Sequence, residues 1–266
     1  MFNIFGRVGA SVLRSISIFS GLLSLLYYSI VGLFSGELKG KYYIRREITM
    51  QVYFTGVNAV TLISIIALAI GVITIFQLNS YGSYLSGFGQ ENMMGKILVT
   101  VIIRELGPLL TSIIIIARSG TAIAAHIGTM TVSHEIEAIE TLGIDNLSYL
   151  VFPRIVGMVV SLIILNIYFD VVSIVGGVIV AKILDPVLSI RAFFENFFES
   201  FNYYDIIETF VKSIFFGCGI SVICVINGFK AGNSSTNIPI AATKGVVSSL
   251  IYVFFINAVI TILFLI

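Results

Sequence analysis

Six apolar stretches, each near the roughly 20 residues that a membrane-spanning helix needs, leave this chain few ways to fold. They run over about 16–34, 52–78, 97–117, 155–181, 206–229 and 246 to the C-terminus. Charged residues make up only 11% of the 266 residues, against roughly 25% in an ordinary soluble domain. Hydrophobic residues make up 58% and the mean hydropathy is +1.05. A soluble fold has no interior large enough to hide that much apolar surface, so lipid must be the solvent for most of it. The expected fold class is all-α integral membrane, because helices satisfy their own backbone hydrogen bonds in a bilayer.

Lys and Arg in the connections set the expected orientation. The segment 37–51 carries Lys39, Lys41, Arg45 and Arg46 and reads as cytoplasmic. Segment 79–96 reads as external, 118–154 as cytoplasmic, the acid-rich 182–205 as external, and 230–245 as cytoplasmic. Basic residues flank the first stretch on both sides, Arg7 and Arg14 before it and Lys39 to Arg46 after it. A helix that enters the inner leaflet and turns back keeps both clusters inside, and Gly32, Gly36 and Gly40 permit the bend. The reading is therefore one membrane domain over 1–266. An N-terminal interfacial or elbow region occupies 1–51 and a five-span core 52–266; six full spans is the alternative.

Charge inside the spans marks the candidate site, since ionisable residues at that depth are costly and usually belong to a pathway. Arg104 and Glu105 are adjacent, so they point about 100° apart and each needs a partner on another helix. At 1.5 Å per residue Arg104 lies about 10 Å from the outer end of its helix, and Glu208 and Lys212 lie about 5 and 10 Å deep in the fifth stretch. Two helices thus bring charge to a similar depth in the outer half of the bilayer, with Asp170 deeper. The arrangement suits either a structural ion-pair network or the polar rim of a cavity for an anionic head group.

A second constellation, Thr131 to Gly143, lies on the cytoplasmic side. Ser133 is placed to cap a short helix whose first turn carries Glu135 and Glu137. Gly143 is placed to end it. Ile136, Ile139 and Leu142 form an apolar stripe beside Glu135, Glu137 and Glu140. Such a helix suits a docking plug for a soluble partner; the alternative is an ordinary surface helix lying along the membrane, which anionic inner-leaflet lipids would repel.

Several functions are excluded. The two Gly-Lys pairs, at Lys41 and Lys96, lack the rest of a phosphate-binding loop, so ATP hydrolysis is not expected of this chain. His126 and His134 have no third ligand nearby, which leaves no metal site. No nucleophile motif of the hydrolase type is present. A net charge of +1 gives no overall attraction to nucleic acid. Cys218 and Cys224 read as small buried hydrophobes.

The run RELGPLLTSIIIIARSGTAIAAHIGTMTVSHEIEAIETLGIDNLSYLVFPRIVGMVVS, beginning at Arg104, resembles the MlaE/YrbE permeases of ABC lipid transporters. The shared pattern is RELGP, then AR-G-A-AAE-GTM-V-E, then YLV-PR. Asp170 with Gly176-Gly177, Gln51-x-Tyr53-x-x-Gly56, and Ala242-Thr243 with Val246, Val247 and Ser248 extend the likeness to about 45–260. Two departures stand out. His126 occupies a position where the family usually has Glu, and Gly232-Asn-Ser-Ser-Thr-Asn-Ile-Pro replaces its Gly-rich turn.

The resemblance implies a homodimer with five spans per subunit and an N-terminal elbow in a bacterial cytoplasmic (inner) membrane. It implies a coupling helix, here 133–142, docked on a cytoplasmic ABC ATPase through Glu135, Ile136, Glu137, Ile139, Glu140 and Leu142. A ring of periplasmic MCE-domain proteins and a STAS-domain protein are further implied partners. It also implies a phospholipid cavity at the dimer interface, with Arg104 and Glu105 at it and Leu68, Val72, Ile75 and Phe76 lining its apolar part. Lys212 joins this set from the depth argument alone. No cofactor is expected on this chain, since ATP and Mg belong to the ATPase. The implied role is to move phospholipid between the inner membrane and MCE carriers, a process that maintains outer-membrane lipid asymmetry. The expected mechanism has ATP binding close the ATPase pair, the helix 133–142 act as a lever, and the cavity collapse around the lipid. The alternative is an ion-coupled secondary transporter of a small anionic or amphipathic solute, which also needs buried charge but calls for inverted internal symmetry that this sequence lacks.

Overall fold

The computed structural model describes residues 41–85, 99–144, 146–184, 190–232 and 234–265, and every regular element among them is helical. The elbow expected over 16–34 lies outside the described residues. Helices α1 (Lys41–Thr55) and α2 (Val60–Leu85) are separated only by a short 3₁₀ turn at Val57–Ala59. The next helical column begins with a π-helical segment, Val99–Leu106, and continues as α3 (Gly107–Ile115), a second π segment at Ile116–Gly120, and α4 (Thr121–Val132). The short helix α5 (Glu135–Thr141) follows. Then come a π segment at Leu147–Val151, α6 (Phe152–Val171), a fourth π segment at Val172–Gly176, and α7 (Gly177–Leu184). Helices α8 (Ile190–Ser200), α9 (Tyr203–Phe229) and α10 (Asn237–Leu265) complete the chain.

Five of these columns are long and apolar enough to cross a membrane: Arg45–Gln77, Val99–Val132, Tyr149–Val180, Tyr203–Phe229 and Asn237–Leu265. The chain is a multi-pass membrane protein. Two spans differ most from the sequence reading in length. The second continues past its expected end at Ala117 as far as Val132, so the connection expected at 118–154 shrinks to the α5 region. Arg118, Gly120, His126 and Gly128 lower the hydropathy there, yet Ile123, Ala124, Ile127 and Met130 bury one face against the bundle. The last span starts at Asn237, where Pro239, Thr243 and Lys244 hide the first turns of the helix from a hydropathy reading.

One apolar core joins Ala59, Ile63 and Ala67 of the first span to Ile115, Ile127, Met158, Phe169, Phe216, Ile220 and Val253. A smaller one, at the opposite end from α5, gathers Ile75, Val99, Ile102, Ile103, Ile174, Val178 and Phe197. Phe193 and Phe194, with Phe201 just past the end of α8, pack against it, which explains α8: Phe193, Phe194 and Phe197 cover the ends of neighbouring spans. By charge alone that segment reads only as an acid-rich connection.

Between helices in lipid, close packing and polar contacts replace the hydrophobic drive. Gly71 shows the first: a Cβ there would overlap the Ser173 carbonyl, so the backbones of α2 and the Val172–Gly176 segment touch. Ser64 Oγ and Tyr168 OH, 2.7 Å apart, show the second. Such contacts contribute about 0.6 kcal/mol each. Cys218 and Cys224 are both free thiols, and Cys224 is buried.

Candidate functional site

The π-helical segment Val99–Leu106 carries Arg104 and Glu105, and α9 meets both. Arg104 Nε lies 2.7 Å from Asp205 Oδ1 and 3.1 Å from Glu208 Oε2. Lys212 Nζ lies 2.9 Å from Glu208 Oε1 and 3.1 Å from Glu105 Oε1. It also donates to the Arg104 carbonyl at 2.7 Å. The last span closes the cluster: Asn257 Nδ2 donates to Glu105 Oε2 at 2.7 Å, and Thr261 Oγ1 donates to Glu105 Oε1 at 2.8 Å. Three columns are therefore tied together through Glu105.

Local structure explains why these groups meet. Glu208 and Lys212 are one turn apart on α9, with the acid on the N-terminal side, the favourable order. Asp205 serves twice. Its Oδ2 accepts from the Asn202 backbone N–H at 2.8 Å, capping α9, while its Oδ1 faces Arg104. Thr209 Oγ1 donates to the Ile103 carbonyl at 3.3 Å and helps hold the π segment against α9.

Exposure divides the cluster. The side chains of Lys212, Glu208 and Asp205 are 0%, 2% and 6% exposed, whereas Arg104 and Glu105 keep 25% and 30%. Arg104 and Glu105 thus form an accessible rim above a buried base. The ammonium of Lys212 has three donors, and three protein acceptors surround it, so in this conformation it holds the rim in place and offers no donor outward. That differs from the direct head-group contact expected of it. Three carboxylates face two cations, and the cluster carries one surplus negative charge.

The apolar residues expected beside the rim divide as well. Leu68, Val72 and Phe76 share one face of α2, with Leu68 and Phe76 exposed and Val72 partly buried. Ile75, two turns on from Leu68 and close to the same side of the helix, is instead buried with Ile102 and Ile103, the turn before Arg104. The sequence reading does not reach Asp205, Asn257 or Thr261 as site residues. Asp205 falls in a connection by hydropathy, although Asn202-x-x-Asp205 has the spacing of a helix cap. Asn257 and Thr261 are uncharged and sit in an apolar run that gives no signal.

At the other end, α5 spans Glu135–Thr141, slightly inside the expected 133–142. Its N-cap is His134, in the left-handed region at φ 57°, and not Ser133. His134 Nδ1 lies 3.1 Å from Glu137 Oε2. Gly143, at φ 74°, ends the helix as expected, with its N–H on the Glu140 carbonyl and the Ile144 N–H on the Ile139 carbonyl. This pairing is the Schellman motif. Ile136 and Ile139 pack against the main core. Glu135, Glu137, Glu140 and Leu142 remain exposed, Leu142 by 75%. Glu140 Oε1 accepts from Asn146 Nδ2 at 2.6 Å, which fixes one of the three acids.

His126, where the sequence departs from the resemblance, sits with its Nδ1 3.0 Å from Arg154 Nη2. Arg154 is 4% exposed and also donates to the Leu150 carbonyl at 2.7 Å. A neutral imidazole supplies the acceptor that a carboxylate would supply, without its charge.

No group of three or more potential metal ligands occurs among the described residues.

A multi-pass helical bundle with a charged rim near one end and a capped acidic helix at the other has the build of a transporter's membrane subunit. The family model described as Permease MlaE matches residues 48–263. A probable ABC transporter permease protein of Rickettsia typhi is 31% identical over 80% of this chain and 81% of its own length. The intermembrane phospholipid transport system permease protein MlaE of Haemophilus influenzae is 30% identical over 85% of this chain and 87% of its own. The chloroplastic protein trigalactosyldiacylglycerol 1 of Arabidopsis thaliana is 30% identical over 62% of this chain and 47% of its own. The chain belongs to the MlaE permease family.

Proposed function

We propose that this chain is the membrane permease subunit of an ABC transporter that moves phospholipid, and that Arg104 and Glu105 form the head-group rim of its lipid cavity. One observation carries the reading: a charged pair held partly open, on a π-helical turn, by a lysine with no exposed surface. Bracing the helices does not require either charge to reach the surface, yet both Arg104 and Glu105 do. The name of the Haemophilus relative supplies the substrate class. In this reading Arg104 meets the phosphate and Glu105 an amine or hydroxyl of the head group. Leu68, Val72 and Phe76 offer an apolar face to the acyl chains, while Ile75 and Lys212 brace the rim from behind. Two copies of the chain enclose the lipid.

The energy comes from outside the chain. A cytoplasmic ABC ATPase docks on α5 through Glu135, Glu137 and Leu142, with Ile136 and Ile139 anchoring the helix to the bundle. Nucleotide-driven movement of α5 shifts the spans, and lipid affinity differs between the two shapes. A periplasmic MCE-domain ring receives or delivers the lipid at the α8 end. A STAS-domain protein acts through the ATPase alone, and the complex sits in the bacterial inner membrane.

The test is transfer of a labelled phospholipid from proteoliposomes holding the reconstituted complex to acceptor carrier. ATP-dependent transfer that Arg104→Glu abolishes is the expected result. Transfer driven by an ion gradient without ATP would assign the chain to the secondary-transporter class.

A further inference from the structure

Two buried oxygens converge on one point in the bundle, and neither has a partner. Asn166 on α6 is 1% exposed, and its Nδ2 donates to Ser213 Oγ at 3.1 Å. Its Oδ1 receives no hydrogen bond. Asp170, one turn further along α6, has its Oδ1 buried and equally unpartnered. Both oxygens face the start of α3. A Cβ built on Gly107 would lie 2.5 Å from Asp170 Oδ1 and 3.0 Å from Asn166 Oδ1.

Among the described residues, the surroundings of this pair hold no spare positive charge. Arg104 and Lys212 are already outnumbered by Glu105, Asp205 and Glu208. The elements packed against the pair present Gly107 from α3, Ser213 from α9, and Ser173, whose Oγ donates to the Asp170 carbonyl at 3.1 Å. An ionised Asp170 would add a second surplus negative charge to a membrane-spanning bundle, and Asn166 Oδ1 would still lack a donor. Leaving buried polar groups unmatched in this way is strongly unfavourable.

We propose that Asp170 and Asn166 form a proton-binding site, in which Asp170 is a neutral carboxylic acid that shares its hydrogen with Asn166 Oδ1. A single proton then removes the charge and supplies the missing donor for both oxygens. The site is wired to the rim. Asn166 donates to Ser213, Ser213 Oγ donates to the Thr209 carbonyl at 2.8 Å, and Thr209 Oγ1 donates to the carbonyl of Ile103, next to Arg104. Asp170 as a whole is partly exposed, which gives the proton a route out when α3 and α6 shift.

The proton site stands apart from the lipid-transport reading, because its test reads the acid directly. Infrared spectra of the full-length protein in its complex at neutral pH should contain the carbonyl band of a protonated carboxyl group, shifted by deuterium exchange. Asp170→Asn should remove the band, and Asn166→Leu should move it to higher wavenumber, since the acid loses its acceptor. Asp170→Asn should fold and unfold at the wild-type temperature, because the amide N–H replaces the O–H donor. An unchanged band in Asp170→Asn would overturn the proposal, as would failure of that variant to fold. Wild-type protein stabilised by sodium chloride over choline chloride, with the effect lost in Asp170→Asn, would overturn it in favour of an alkali cation.

Discussion

Lys212 Nζ stands 3.1 Å from Glu105 Oε1, and this contact joins α9 to the π-helical turn through a lysine with no exposed surface. A buried ammonium is tolerated only with acceptors on every side. Glu105, Glu208 and the Arg104 carbonyl provide them. Lys212→Met therefore leaves Glu208 buried with one cation fewer and should destabilise the bundle by about 3–5 kcal/mol. Thermal unfolding in detergent measures this. Adding Glu208→Gln to Lys212→Met should recover part of the loss, whereas additive losses would mean the two residues do not act as a pair.

The backbone contact at Gly71 gives a second expectation. Gly71→Leu forces α2 away from the Val172–Gly176 segment, because even a methyl group overlaps the Ser173 carbonyl. Overpacking of this kind costs about 1–3 kcal/mol or more. A lower unfolding temperature for Gly71→Leu, with little change for the exposed neighbour Ile73→Leu, is the expected pair of results. Equal behaviour of the two would show that the helices do not touch there.

Arg154 makes its hydrogen bonds to neutral acceptors, the Leu150 carbonyl and His126 Nδ1. His126→Glu places a carboxylate beside a buried guanidinium, and charge-assisted hydrogen bonds are roughly twice as strong as neutral ones. The variant should melt at a higher temperature than the wild type. A lower one would show that the imidazole's shape, not its acceptor atom, is what the site requires.

The acidic helix yields a test that leaves the fold alone. Glu137 and Leu142 are exposed, so Glu137→Lys with Leu142→Glu should leave the unfolding temperature unchanged. The same double variant should reduce the ATPase recovered with the purified permease by at least about tenfold, the equivalent of about 1.4 kcal/mol. Full recovery of ATPase would move the docking surface elsewhere.

Much of this architecture is legible in the residues. Hydropathy locates the five spans, and rise per residue places Arg104, Glu208 and Lys212 at similar depths, where the structure joins them. The failures have physical causes. A hydropathy reading stops at Arg118 because it scores residues singly, whereas helix continues to Val132 with Ile123 and Ile127 buried on one face. Depth arithmetic cannot say which way a side chain turns, so it makes Lys212 a ligand contact although the lysine is sealed beneath the rim. Asn257 and Thr261 carry no charge, and only packing of α10 against the π turn shows that they grip Glu105. Ser133 suits the cap of α5 by residue type, but the chain turns at His134 instead.

The partly open charge of Arg104 is the centre of the proposed lipid site, and the phospholipid bound to the purified permease complex tests it most directly. Native mass spectrometry should find phospholipid on the wild type and on Arg104→Lys, and none on Arg104→Glu that is still folded, although losing Arg104 from beside Asp205 and Glu208 lowers the unfolding temperature of that variant. Undiminished phospholipid on a folded Arg104→Glu complex would contradict the account.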